Sequence, residues 1–272
     1  MNAVPQDVKA SSDELFRLDG RVAFLSGAAG HLGSQMAWAM GRAGAHLILN
    51  GRNEERLNAF AANLDKAGIS AEAAPFDVTD LHALRTFLAA RPRLDILINN
   101  AVTMTSKPMA VTNGLDFDLV YRSAVIAAFE AIRAARPALA RAAAETGGAS
   151  VVNISSMYGL VSPDPGLYSE PGQMSPPHYG AAKAALIQLT RHLAAELGPE
   201  GIRVNALCPG PFPRPEVVAN DPAFGERLKA RTMLRRTGKA SEIAGPVLFL
   251  AGPASSYVTG AVLVADGGWT AW

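Results

Sequence analysis

The chain has 272 residues, 49% of them hydrophobic, and carries 25 basic and 24 acidic side chains for a net charge of +1. That length and apolar content suit one large α/β domain with a sizeable core. The balanced charge, without a long run of either sign, gives no reason to expect nucleic acid or an anionic membrane as partner. The single cysteine, Cys208, excludes an intramolecular disulfide and fits a reducing compartment.

Residues 1–19 are expected to form a loose N-terminal arm ahead of one domain over 20–272. The first residues are polar and mixed in charge, without the apolar stretch of a signal peptide. No apolar run reaches the ~18 residues of a membrane span, so the protein is expected to be cytoplasmic. The histidines 31, 46, 82, 178 and 192 show no metal-ligand spacing, and no metal is expected.

Val22 to Leu25 is a short apolar run that predicts a buried first strand. It leads through Ser26-Gly27-Ala28-Ala29-Gly30-His31-Leu32-Gly33 into a helix pattern ending near Ala43. A strand, a turn of small residues and a helix N-terminus make a place for a phosphate, because backbone N–H groups and the positive helix end face it. The other reading is a tight turn whose glycines serve packing. His46 to Asn50 predicts the second strand, ending in Asn50-Gly51-Arg52. In a dinucleotide site an acid here would bind the ribose 2′-OH of NAD, and an arginine would accept the 2′-phosphate of NADP. Asn50 is neutral and Arg52 is close, which favours NADP over NAD, unless Arg52 only begins the polar face of the helix over 53–66.

A weaker third strand runs from Ala71 to Phe76 and ends in Asp77-Val78. A helix over 81–90 follows, then a predominantly apolar fourth strand over 94–98 ending in Asn99-Asn100-Ala101. The two asparagines either tie loops together or touch a cofactor. Strands alternating with helices predict a parallel sheet covered on both faces. Residues 113–144 read as helix, kinked or divided at Pro137. A fifth strand (149–155) leads to Ser156-Met157-Tyr158-Gly159. Residues 160–177, with five prolines, form an extended loop that is either part of a site or a passive insertion. The sixth strand (201–207) ends in Cys208-Pro209-Gly210. Residues 211–238 read as a mobile flap with a short helix, 241–251 as a helix and 261–265 as the last strand, closed by Asp266-Gly267-Gly268.

Tyr179 and Lys183 lie four residues apart in an alanine-rich run expected to be helical over 181–197. That spacing sets a phenol one turn from an ammonium. A cation favours the phenolate, so such a pair can give or take a proton near neutral pH. Alone, the pair could equally be an exposed tyrosine and a solvated lysine.

Taken together, S-G-A-A-G-H-L-G at 26–33, D-V at 77–78, N-N-A at 99–101, N-I-S-S at 153–156, Y-G-A-A-K at 179–183, R-V-N-A-L-C-P-G at 203–210 and D-G-G at 266–268 resemble the short-chain dehydrogenase/reductase family. The resemblance spans about residues 18–269. It implies a single-domain Rossmann fold, a doubly wound seven-stranded parallel sheet with helices on both faces. It implies NADP or NAD across the strand ends and hydride transfer between a carbonyl and a secondary alcohol. By position, Tyr179 would be the general acid/base, and Lys183 would bind the nicotinamide ribose and depress the Tyr179 pKa. Ser156 would hydrogen-bond the substrate oxygen. Pro209, Gly210 and Phe212 would back the nicotinamide. The resemblance also implies a homotetramer or homodimer through the long helices and the C-terminal strand.

Four positions depart from the family's pattern. His31 replaces the middle glycine of the phosphate loop, and its imidazole is expected to be within reach of a phosphate. Val102 follows Asn99-Asn100-Ala101 in place of a glycine. Ala124 stands where a water-holding asparagine is usual, and Arg214 where a threonine is usual. With Ala124, either Ser123 or another polar group holds the water, or proton relay is slow, or the protein binds cofactor without catalysing. Tyr158, Tyr168, His178, Phe212 and Arg214 are expected to line the substrate pocket. S-S-M-Y-G-L, P-P-H-Y-G-A-A-K and P-G-P-F-P place the chain near gluconate 5-dehydrogenase-like members, which suggests a sugar acid or polyol; 3-oxoacyl-carrier-protein reductases resemble it almost as well and suggest a hydrophobic carbonyl.

Overall fold

The computed structural model describes residues 13–272; most of the predicted N-terminal arm lies outside the described residues. Seven strands form one sheet: β1 (Val22–Leu25), β2 (His46–Gly51), β3 (Ala71–Pro75), β4 (Ile96–Asn99), β5 (Ala149–Ile154), β6 (Ile202–Pro209) and β7 (Val262–Ala265). Their spatial order is β3-β2-β1-β4-β5-β6-β7 and every neighbouring pair is parallel. The order reverses between β1 and β4, which opens a crevice at the carboxyl ends of the strands there.

The helices are α1 (His31–Arg42), α2 (Glu54–Asp65), α3 (Leu81–Ala89), α4 (Gly114–Tyr121), α5 (Ala127–Thr146), α6 (Pro177–Leu197), α7 (Pro215–Asn220), α8 (Pro222–Arg231) and α9 (Ala244–Ala251). Side chains alternate across each strand. Ala23, Leu25, Leu47 and Leu49 pack with Met36 and Met40 of α1, Leu57 and Leu64 of α2 and Val247 and Leu250 of α9. Phe24, Ile48 and Val151 pack on the other face with Leu84 and Leu88 of α3, Ile132 and Leu139 of α5 and Leu193 and Leu197 of α6. Both faces are therefore covered, and β4 and β5 are buried along their whole length.

Several expectations are corrected. Leu18, read as part of the arm, is buried, and its N–H donates to Ala43 O at 2.7 Å. The helix passes through Pro137 without dividing; the break is instead a π turn at Arg122–Ile126 between α4 and α5. The flap contains two helices, because Asp221 accepts from the Phe224 N–H at 2.8 Å and starts α8 immediately after α7. Helix α6 begins at Pro177, one turn earlier than its alanines suggest, since proline at a first helical position loses no hydrogen bond.

Candidate active site

The loop after β1 is built by its own small residues. Gly27 has φ +65°, and a Cβ on Gly33 would lie 2.2 Å from the Gly27 carbonyl oxygen, so α1 can start only this close to the loop if both stay glycine. Ser26 Oγ accepts the N–H groups of Asn100 (2.9 Å) and Ala101 (3.0 Å), and Asn100 Nδ2 donates to the carbonyls of Ser26 and Gly27 at 2.9 and 3.2 Å. Asn100 thus serves as a tie. The first-turn amides of α1, at His31, Leu32 and Gly33, have no partner inside the helix and form an anion-binding end.

A groove of about 360 Å³ runs from Gly27 and Gly30 past Gly51 and Arg52 to Asp77 and Val78. Ala101, Thr103 and Arg214 border it as well. Its position at the switch in strand order, its glycine floor and its free helix amides fit a dinucleotide. The Arg52 side chain is 66% exposed, with Nη1 3.8 Å from Asp77 Oδ2, so its guanidinium is open to this groove. Asp77 Oδ1 is taken by the N–H and hydroxyl of Thr79, both at 2.8 Å. Asn50 uses its side-chain amide within the sheet. Its Nδ2 donates to Ala74 O and Phe76 O at 2.9 and 3.0 Å, which binds β2 to β3, and its Oδ1 is buried without a partner among the described residues. Asn50 and Gly51 both border the groove beside Arg52.

Ser156, Tyr179 and Lys183 are brought together where β5 ends against the first turns of α6. Lys183 is buried, its Nζ donates to Ile154 O at 2.7 Å, and it lies 5.6 Å from the centre of the Tyr179 ring. Ser155, unremarked in the sequence beyond its place in N-I-S-S, donates its hydroxyl to Lys183 O at 2.8 Å, so strand and helix hold each other. Gly159 and Gly180 make the contact possible: a Cβ on Gly159 would be 2.8 Å from the Lys183 carbonyl carbon, and one on Gly180 3.0 Å from Tyr158 O. Their signal was glycine beside each tyrosine, in Y-G at 158–159 and 179–180.

Ser156 Oγ accepts the Tyr158 N–H at 3.1 Å and bonds the Tyr179 phenol, an interaction that lowers its pKa. Burial outweighs that bond and pushes the Tyr179 phenol up from its ordinary value, opposite to the depression expected from Lys183. Burial also brings the Lys183 ammonium down to about 8. The Tyr158 and Tyr168 hydroxyls are 2.8 Å apart, and burial with this bond raises the Tyr158 pKa, so its phenol stays neutral.

The remaining predicted residues divide. Pro209 and Gly210 close β6; a Cβ on Gly210 would be 2.4 Å from Asp266 Cα. Asn99 turns away from the groove: its Nδ2 donates to Asn153 Oδ1 and Asn153 Nδ2 to Thr190 Oγ1, both at 2.9 Å, a buried polar chain from β4 through β5 to α6. The His31 imidazole does not reach towards a phosphate; Nε2 is 3.2 Å from Phe212 O. His178 does not line a pocket. It is fully buried, with Nε2 3.1 Å from Thr105 O and its ring edge-on to Phe117 at 5.8 Å.

Ala124 is buried in the π turn. The Ser123 hydroxyl accepts the Thr103 N–H at 3.0 Å and faces the carbonyls of Leu119 and Val120 at 3.0 and 3.2 Å. Beside Ala124 lies a cavity of about 10 Å³, bordered by Ser26, Asn99 and Ser123, the size of a single water. Among the described residues no group of three or more His, Cys, Asp or Glu is placed to hold a metal, and no helix is long and apolar enough to cross a membrane.

This sheet order, with a glycine-floored groove beside a Ser-Tyr-Lys cluster, defines a nicotinamide-dependent oxidoreductase. The chain belongs to the short-chain dehydrogenase/reductase family; a family profile described as Enoyl-(Acyl carrier protein) reductase matches residues 27–270. It is 35% identical to gluconate 5-dehydrogenase of Gluconobacter oxydans over 96% of this chain and 98% of that one. It is 34% identical to the rhamnolipids biosynthesis 3-oxoacyl-[acyl-carrier-protein] reductase of Pseudomonas aeruginosa over 93% and 97%. The structure of a gluconate 5-dehydrogenase from Burkholderia cenocepacia in complex with NADP and tartrate superposes with a TM-score of 0.85 at 29% identity, over 96% of this chain and 100% of that one.

Proposed function

We propose that the protein interconverts a secondary alcohol and a ketone on a polyhydroxylated acid or polyol, with NADP preferred to NAD. The observation that carries this reading is the cluster of Ser156, Tyr179 and Lys183 at the end of β5. A bound nicotinamide supplies or accepts the hydride. In reduction, Tyr179 Oη gives its proton to the carbonyl oxygen as charge builds there, and Ser156 Oγ donates a hydrogen bond to the same oxygen. Lys183 keeps a positive charge beside the phenol and favours the phenolate left behind. In oxidation the phenolate takes the proton from the alcohol.

Arg52 beside Gly51, with no acid at this strand end, supports NADP. The hydrogen-bonded Tyr158 and Tyr168 beside Tyr179 support hydroxyl-rich substrates, because a phenol hydroxyl can bond neutral oxygens. A second reading is reduction of a 3-oxoacyl thioester. It is favoured by an apolar groove of about 450 Å³ bordered by Tyr158, Leu160, Val161 and Met174. The exposed Ile126 and Phe129 on the π turn and α5 support assembly with further copies of the chain, as a tetramer or dimer. The single, buried Cys208 supports a cytoplasmic setting.

The test is calorimetric titration with NADPH and NADH, followed by turnover on sugar acids, polyols and 3-oxoacyl thioesters. Tighter NADPH binding and turnover of a sugar acid or polyol are expected. Preference for the thioester would replace the substrate reading, and failure to bind either dinucleotide would end the enzymatic one.

A further inference from the structure

His31 and Arg214, two departures from the family's pattern, are linked through the root of the flap and have no part in the proton chemistry. His31 is the first residue of α1, and its ring is hydrogen-bonded to Phe212 O, so the root of the flap is fastened to the phosphate loop. Two residues later Arg214 borders the same groove as Gly27, Gly30 and Thr103. Its neighbours in the flap are otherwise engaged. Arg227, Lys229, Arg231 and Arg236 each pair with a carboxylate, and Arg235 bonds Ala230 O and lies over Trp272. Arg214 is exposed and has no ion pair among the described residues.

An unpaired guanidinium across a groove from free helix amides is arranged for an anion with oxygens on two sides. Ser156 and Tyr179 do not border this groove; Gly27 and Gly30 do. We propose that Arg214 binds the pyrophosphate of the dinucleotide from the flap side, and that His31 is a positioning residue that keeps the flap root within reach. The proposal rests on the dinucleotide reading of the groove. It assigns Arg214 to the cofactor, where the sequence had placed it among residues lining the substrate pocket.

The experiment is calorimetry with 2′-phospho-ADP-ribose, which has the pyrophosphate but no nicotinamide, and with adenosine 2′-monophosphate, which has neither. Arg214→Ala is expected to weaken 2′-phospho-ADP-ribose and NADPH alike by about tenfold, leaving adenosine 2′-monophosphate unchanged. Arg214→Lys should recover part of the loss. His31→Ala should weaken 2′-phospho-ADP-ribose less, and Arg214→Ala should then cost less in that background, because the two act through one contact. Unchanged affinity of 2′-phospho-ADP-ribose in Arg214→Ala overturns the proposal, as does a rise confined to the KM of an acidic substrate. If the unaltered protein binds neither NADPH nor 2′-phospho-ADP-ribose, the dinucleotide reading itself fails, an outcome visible before any variant is made.

Discussion

The corner where β5 meets α6 and the groove edge formed by Arg52 and Arg214 are built on opposite plans. In the corner Lys183, Ser155 and Asn153 are buried, each with a named partner: Lys183 on Ile154 O, Ser155 on Lys183 O, Asn153 on Thr190. At the groove edge the charged groups are exposed, and Arg52 has only a 3.8 Å contact with Asp77. Buried and satisfied groups hold reacting atoms in one geometry at the cost of desolvation. Exposed charges select an anion cheaply and adjust to it. The chemistry is placed where nothing can shift, and the choice of cofactor where one substitution can change it.

The sharpest test of this contrast is Tyr179→Phe. It should lower turnover by about 10²–10⁴-fold, the usual worth of a general acid–base, with dinucleotide affinity unchanged by calorimetry. A small loss would mean the corner is not the proton donor. Next is the cost of burying Lys183. Its pKa falls to about 8 from 10.5, so the native state sheds the proton first and stability rises with pH between those values. Below about 8 both states hold the proton and the full cost remains. Measured against Lys183→Met by denaturant unfolding, the chain should gain about 3 kcal/mol across that window. A flat difference would mean the ammonium is solvated after all. The smallest effect is expected at the open edge. Arg52→Ala should weaken NADPH by about fivefold, as an exposed pair contributes up to about 1 kcal/mol, and leave NADH nearly unchanged. Equal weakening of both would remove the 2′-phosphate from its reach.

The strands and the Ser-Tyr-Lys cluster were legible because each rests on local pattern: apolar runs for buried strands, small residues for the loop after β1, four-residue spacing on α6. What escaped depends on direction. Asn50 and Asn99 stand at the strand ends where a cofactor residue belongs, yet both side chains turn to bond neighbouring strands. His178 adjoins Tyr179 in sequence, but consecutive helix residues point about 100° apart, and its ring enters the core. Pro137 looked like the breaker of a long helix, whereas the irregularity lies at 122–126, in a stretch without proline or glycine. The second flap helix was readable: Asp221-Pro222 has an N-cap followed by the proline that suits a first turn.

The chain of amides from Asn99 through Asn153 to Thr190 also governs how the protein opens. It crosses two strands and enters the helix that carries Tyr179 and Lys183. Freeing that helix alone would leave Nδ2 of the buried Asn153 without its acceptor, with only the bond from Asn99 remaining. The middle of α6 is therefore expected to open together with β4 and β5, its amide hydrogens exchanging with solvent as slowly as those of the central strands.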